Sequence, residues 1–358
     1  MKTPNKYKVL GVMSGTSLDG LDIAFCEFEK TSKGWIFKSE IGETIRYSKQ
    51  WNNKLSQAPF ASAEELEKLN YDFGEYVGLA CQQFAKKHRL SAVDFISSHG
   101  HTVFHQPERR FTFQLGSGVA IHHRSGLPVI CDFRSEDVLK GGEGAPLVPV
   151  GDHHLFSSFD VCLNIGGIAN LSMISKGKRV AFDVCFANMG LNYLANKIQK
   201  QYDKGGAIAS AGVLSNKLKE SLDKANRRWH RNRPSLGREG FEKFIQALLD
   251  NSELPVEDRM RTFSDSIVDE IAVCIPKKRK TTLLATGGGA FNKYLITRLQ
   301  HKLEGFTEVI VPSDHIVSYK EAIVFAFLGV LKSRKEINVL KSVTGASSDS
   351  SSGIMIGF

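Results

Sequence analysis

Between Gly11 and Asp22 the chain reads GVMSGTSLDGLD. Small residues let a backbone turn tightly and present several N–H groups to anionic oxygens. The hydroxyls of Ser14, Thr16 and Ser17 add donors. Asp19 and Asp22 supply carboxylates suited to a magnesium ion or its waters. The candidate phosphate-binding residues are therefore Gly15, Thr16, Ser17, Leu18, Asp19, Gly20, Leu21 and Asp22. The stretch is not a Walker A loop, because it has no lysine and no helix need follow it. Taken by itself, a plain β-hairpin turn would use the same small residues.

Two further glycine loops can do related chemistry. Asn164 to Asn170 reads NIGGIAN between two apolar runs, so Gly166 and Gly167 fit a second phosphate-contacting hairpin. A β-bulge is the bland alternative. Thr286 to Asn292 reads TGGGAFN after the apolar run TLLA. Gly287, Gly288 and Gly289 would let a large planar ligand approach the backbone. Asn292 starts a helix whose N-terminus favours phosphate. A permissive strand-to-helix turn is the competing reading.

The elements that must position these loops follow from periodicity. Lys8 to Ser14, Leu21 to Phe28 and Trp35 to Ile41 read as strands of a hairpin and meander. Ala63 to His88 has helical spacing, with Ser62 and Glu65 as a capping box. Val93 to Ser97 and Val129 to Phe133 are strands. The cycle then repeats with strands Phe159 to Ile165, Asn170 to Ser175 and Val180 to Asp183. Helices are expected at Leu191 to Gln201, over 214–250 with a break near Arg231 to Gly237, and at Arg259 to Cys274. Strands Thr282 to Ala285 and Val309 to Val311 precede a helix at Tyr319 to Arg334. The Ser- and Gly-rich end closes on Ile354, Met355, Ile356 and Phe358, which suggests docking.

Composition sets the outer limits. With 42% hydrophobic and 24% charged residues, disordered and fibrous classes are excluded. The length of 358 residues suggests two domains. The longest apolar run, Ala322 to Leu331, is too short for the ~20 residues that span a bilayer. The N-terminus lacks the apolar core of a signal peptide, so a cytoplasmic protein without membrane partners is expected. Six cysteines without C-x-x-C spacing read as buried free thiols. The net charge of +9 lies mostly after residue 150, in Lys217 to Arg233 and Lys277-Lys278-Arg279-Lys280. No nucleic-acid module accompanies it, so nucleic acid is not expected as a partner. The pairs His122-His123 and His153-His154 have no nearby set of metal ligands.

Two phosphate hairpins followed by a late glycine-rich loop form the layout of the sugar kinase, Hsp70 and actin superfamily. GVMSGTSLDGLD resembles more specifically the opening of the anhydro-N-acetylmuramic acid kinases. So do SSHGHTVFHQP (97–107), FQLGSGVAIHHRSGLPVICDFRSEDVLKGGEGAPLVP (113–149), LNIGGIANLS (163–172), SLGREGF (235–241), LATGGGAFN (284–292), EAIVFAFL (321–328) and SVTGAS (342–347). The resemblance implies an α/β, two-domain, actin-like ATPase (ribonuclease H-like) fold with mixed sheets and an interdomain cleft. Domain one would span 1–130 with about 342–358, and domain two 131–341. A homodimer is the default expectation.

The resemblance also implies a reaction. ATP, with Mg2+, and water would act on 1,6-anhydro-N-acetylmuramic acid, opening the anhydro ring and phosphorylating O6. The family's base is the Asp of D-T-G-P-G-N, which maps onto Asp183, and its Asn onto Asn188. His99, Arg134 and Glu321 map onto substrate-contacting positions. Asp19 and Asp22 would hold the metal, directly or through water. This chain departs at three places. Thr-Gly-Pro-Gly has become Val184-Cys185-Phe186-Ala187, H-G-Q-T has become His99-Gly100-His101-Thr102, and I-S-G-D has become Ile316-Val317-Ser318-Tyr319-Lys320. The bulky loop after Asp183 is expected to reshape the sugar or phosphate pocket, or the chain path after the base. A kinase for a related sugar, or a nucleotide-binding sensor without turnover, are the alternatives.

Overall fold

Alternating apolar residues build the first strands. They are β1 (Lys6–Ser14), β2 (Leu21–Thr31), β3 (Gly34–Ile45), β4 (Phe95–Gln106), β5 (Phe111–Leu115) and β6 (Val129–Cys131). β1–β2 and β2–β3 pair antiparallel, while β4 joins β1 in parallel and β6 joins β4 in parallel. A second set repeats this pattern: β7 (Val161–Ile165), β8 (Ile168–Ser175), β9 (Lys178–Phe186), β10 (Thr281–Thr286) and β11 (Thr307–Ile310). There β7–β8 and β8–β9 are antiparallel, and β10 and β11 add in parallel. The last strand, β12 (Ile354–Ile356), pairs antiparallel with β6. The C-terminal segment therefore docks, as its apolar residues suggested.

The two sheets run β12-β6-β4-β1-β2-β3, with β5 on β4, and β11-β10-β7-β8-β9. Each carries three antiparallel strands extended by two parallel ones. This duplicated mixed sheet is the ribonuclease H-like α/β arrangement that the resemblance implies. The computed structural model describes residues 4–15, 17–250, 253–276 and 280–358. Thr16 and the basic residues Lys277, Lys278 and Arg279 lie outside them.

The chain divides into two compact units, 1–156 with 319–358, and 157–318. Residues 131–156 and 319–341, grouped with the second half on sequence, are counted in the first unit. Strand pairing gives one reason: a boundary at 130 would cut β6, which is hydrogen-bonded to β4. The helix Asp314–Ser333 gives the other. Its residues Ala322 to Leu328 are fully buried. An added Cβ at Gly11 of β1 would lie 1.9 Å from the Ala322 carbonyl oxygen, so only glycine admits this approach. From Ala322 to Leu331 the helix is apolar on all sides because this stretch is buried on all sides.

In the first unit the helix Ala63–Lys87 starts in the expected capping box, with the Ser62 and Glu65 side chains each bonded to the other's backbone. Its apolar stripe, including Leu69, Phe73, Val77 and Phe84, enters the core beside Leu10, Ile23 and Ile96. In the second unit the helices Asn188–Asn196, Val256–Cys274 and Lys293–Leu303 pack on the sheet. Among the described residues no helix is long and apolar enough to cross a membrane.

Candidate functional site

The first hairpin turns between Ser14 and Leu21, which pair across β1 and β2. Leu18 takes a left-handed φ of 60° and its N–H donates to the Gly15 carbonyl, which closes the turn. Gly20 packs so closely on Ile45 that a Cβ would lie 2.6 Å from its carbonyl oxygen. Ser17 and Asp19 are exposed, whereas Leu21 is buried in the core and Leu18 packs against it. Ser14, expected to offer its hydroxyl to a ligand, is buried and bonded within the protein. Its Oγ lies 2.7 Å from the Tyr47 hydroxyl and 2.9 Å from His101 Nδ1. This network pins the start of the loop to β4.

Asp22 stands opposite Thr44 on β3 and accepts its hydroxyl at 2.6 Å. Burial pushes the Asp22 carboxyl up to about 6, the Thr44 bond opposes this, and the charges of Glu321 and Asp19 add to it. Asp19, Asp22 and Glu321 thus share one electrostatic neighbourhood. Among the described residues no group of three or more His, Cys, Asp or Glu could hold a metal ion.

His99, Arg134 and Glu321 also come together in the first unit. His99 Nδ1 donates to the Gly100 carbonyl at 2.9 Å, so its Nε2 is left to accept from Arg134 Nε at 2.9 Å. The neutral ring is required by this pair of bonds. Burial drives the His99 pKa well below the usual range, and the neighbouring guanidinium drives it further. Arg134 Nη1 donates to the Gly144 carbonyl at 2.6 Å. Burial lowers its pKa to about 10, which still leaves it charged, and Glu321 opposes the shift. Glu321 is open to solvent, yet the protein packed around its carboxyl raises its pKa, against the pull of Arg134 and Lys320. A cavity of about 210 Å³ is lined by His99, Gly100, Gln114, Ser117, Asp132 and others of the same unit.

In the second unit the other two glycine loops meet. The Gly166 and Gly167 carbonyls accept the N–H groups of Ala187, Asn188 and Met189. They thereby satisfy the opening turn of the helix Asn188–Asn196. The Asn188 amide donates to the Ile165 carbonyl at 3.0 Å, so this residue braces the second hairpin. Gly287 has φ 79°, and a Cβ there would lie 2.4 Å from Asn164 Oδ1. A Cβ on Gly289 would lie 2.2 Å from Ile165 Cγ2, and one on Gly288 would face the Asn188 amide at 3.7 Å. Asn292 is buried and caps the helix Lys293–Leu303 by accepting the Leu295 N–H. Its side chain is spent on the fold, and only its backbone remains to a ligand.

Asp183 sits near the end of β9 opposite Asn170, and the register slips there so that Val184 is an extra, unpaired residue. Asp183 is half-buried. Its Oδ2 accepts the Leu236 N–H at 2.8 Å. Burial raises its pKa and this bond lowers it. A carboxylate held so is suited to general-base work. Val184, Cys185, Phe186 and Ala187 are all buried in the unit's core. Phe186 packs edge-on against Trp229 and Phe241, each at 5.7 Å. The substituted loop is core packing, and its bulk is absorbed by the helical segment between 216 and 250.

Leu236 and Arg233 were not singled out by sequence reasoning. The motif SLGREGF was visible, but nothing local ties it to Asp183.

A model of the family described as anhydro-N-acetylmuramic acid kinase matches residues 7–357. Curated relatives of that name include one from Francisella tularensis subsp. novicida, 34% identical, covering 96% of this chain and 97% of the relative. One from Sulfurimonas denitrificans is 31% identical, covering 95% and 97%. One from Vibrio vulnificus is 32% identical, covering 99% of both. Matched along nearly its whole length, and with the three glycine loops and Asp183 placed as described, the chain belongs to the anhydro-N-acetylmuramic acid kinase family.

Proposed function

We propose that the chain is an ATP-dependent phosphotransferase that opens 1,6-anhydro-N-acetylmuramic acid with water and phosphorylates O6, giving N-acetylmuramic acid 6-phosphate. The observation that carries the reading, beside family membership, is the Asp183 carboxylate, held by one oxygen at the end of β9. Water attacks the anomeric carbon, its proton passes to Asp183, and the bond from that carbon to O6 breaks. O6 takes the freed electron pair and attacks the γ-phosphorus, and ADP leaves with the pair of the broken P–O bond. The protein's task is positioning and charge stabilisation. ATP makes a cytoplasmic setting the natural one.

The nucleotide phosphates fall to the turns at Gly15 to Gly20 and at Gly166-Gly167, and the nucleoside to Gly287 to Gly289. The sugar falls to His99, Arg134 and Glu321. Arg134, fixed by His99 and Gly144, offers a charged donor at a set position. Asp19 and Asp22 fit a magnesium ion held largely by water and phosphate oxygens. Two oxygen-donor carboxylates match that hard cation, and an all-protein cage is not its habit. The ion would neutralise phosphate charge.

The test is phosphorylation of the anhydro sugar by purified protein, with N-acetylmuramic acid as comparison. Asp183→Asn should lower kcat by about a thousandfold or more while leaving ATP binding intact. Turnover of another sugar alone, or ATP binding with no turnover on any amino sugar, would overturn the assignment.

A further inference from the structure

Arg233, Leu236 and Phe241 belong to a stretch that grips the end of β9 from outside the sheet. The Arg233 guanidinium lies over the Phe182 ring at 5.4 Å, and its Nη1 reaches the Val184 carbonyl at 3.4 Å. The Leu236 N–H binds Asp183 between them. Trp229 and Phe241 hold Phe186, and a Cβ on Gly240 would lie 3.2 Å from the Phe186 ring. Four of the five residues from Phe182 to Phe186 are thus contacted by residues about fifty positions away. Arg233 adopts φ 42°, an uncommon conformation for a side chain with a Cβ, kept here by these contacts.

We propose that the segment Trp229–Phe241 is a positioning element for the base, which ties Oδ2 of Asp183 to the Leu236 N–H and leaves Oδ1 to take the proton. The proposal rests on the base role argued above. A bulge at Val184 loosens the strand where Asp183 must be aimed, so the aim has to come from elsewhere. Backbone N–H donation also favours the ionised carboxylate against its burial. No cation is paired with Asp183 among the described residues. Its titratable neighbour is the buried thiol of Cys185, on its own strand. The Arg233 charge acts instead on Cys185, Cys274 and Glu270, and Glu270 is paired with His230.

The experiment is the pH profile of kcat/KM on the anhydro sugar at saturating ATP, with folding checked by circular dichroism. Leu236→Pro removes the donor. Its acid limb should move up by about one pH unit, because a base of higher pKa ionises later. kcat should fall about tenfold with the KM of both substrates nearly constant. Leu236→Ala keeps the N–H and should keep the acid limb in place. Arg233→Gln and Phe241→Leu should lower kcat with little change in KM, and they carry the test if the proline variant does not fold. A folded Leu236→Pro with an unmoved acid limb overturns the proposal, as does unchanged kcat in both Arg233→Gln and Phe241→Leu. An active Asp183→Asn would instead overturn the base assignment itself.

Discussion

Asp22 holds a charge that its surroundings disfavour. Burial pushes its carboxyl up to about 6, and Glu321 and Asp19 add repulsion that the Thr44 hydroxyl offsets only in part. The folded pKa therefore lies above the unfolded one. The folded state binds the proton more tightly, so the carboxyl's penalty is absent below about pH 4, grows through about 6 and is full above it. Asp22→Asn keeps an oxygen to accept the Thr44 hydroxyl and removes the charge. Without nucleotide or magnesium, its melting temperature should equal the wild type's near pH 4 and exceed it at pH 8. The same variant should lose magnesium-dependent ATP turnover, since a carboxylate kept charged at a stability cost is the one fitted to a cation. A melting temperature unchanged at pH 8 would count against the site. Burial also lowers the His101 pKa to about 4, so this residue titrates across the same window, but it does so in both proteins and cancels in the comparison of Asp22→Asn with the wild type.

The loop elements were largely legible from composition, because a tight turn needs small residues locally and little else. The hairpins at Gly15 to Gly20 and Gly166-Gly167, and the turn at Gly287, all fall where the glycines stand. What was not legible was the use made of side chains by distant partners. Val184 to Ala187 read as an altered pocket wall, yet Phe186 packs between Trp229 and Phe241, more than forty residues along the chain. Asn188 and Asn292 read as ligand contacts, yet one braces the Ile165 carbonyl and the other caps a helix. An amide's spacing does not reveal which carbonyl or N–H it will meet. The closeness of the third loop to the second hairpin is likewise a long-range fact with a testable consequence. Gly289→Ala would place a methyl 2.2 Å from Ile165 Cγ2. Overpacking of this kind costs about 1–3 kcal/mol. Its first effect should be displacement of the glycine loop, so the KM for ATP should rise about tenfold while that for the sugar changes little. Steady-state kinetics with each substrate varied in turn would show it, and equal changes in both would argue against a nucleotide role for the loop.

The chain passes between its two units twice, at Phe156–Ser157 and at Ser318–Tyr319. On the first unit's side both passages are tied to one point. Lys320 makes an ion pair with Asp152 at 2.7 Å, with both side chains about 95% buried, and its ammonium lies 5.2 Å from the Phe156 ring centroid. On sequence, Lys320 stands only as a departure from a small and acidic stretch. Its partner lies far along the chain, so the compensation was invisible. Two charges withdrawn from water gain little as a pair against an apolar replacement, but either one left alone is costly. Lys320→Met should therefore destabilise the protein by about 3–5 kcal/mol. The double variant Lys320→Met with Asp152→Leu should recover most of that loss. Urea unfolding followed by circular dichroism would measure both. A single variant that loses less than about 1 kcal/mol would mean that Asp152 is stabilised without Lys320. Kinetics separate anchoring from charge, because Lys320 also pulls down the raised pKa of Glu321. If anchoring of the two passages matters for turnover, the double variant should regain kcat along with stability. If the lysine matters through Glu321, stability should return and kcat should not.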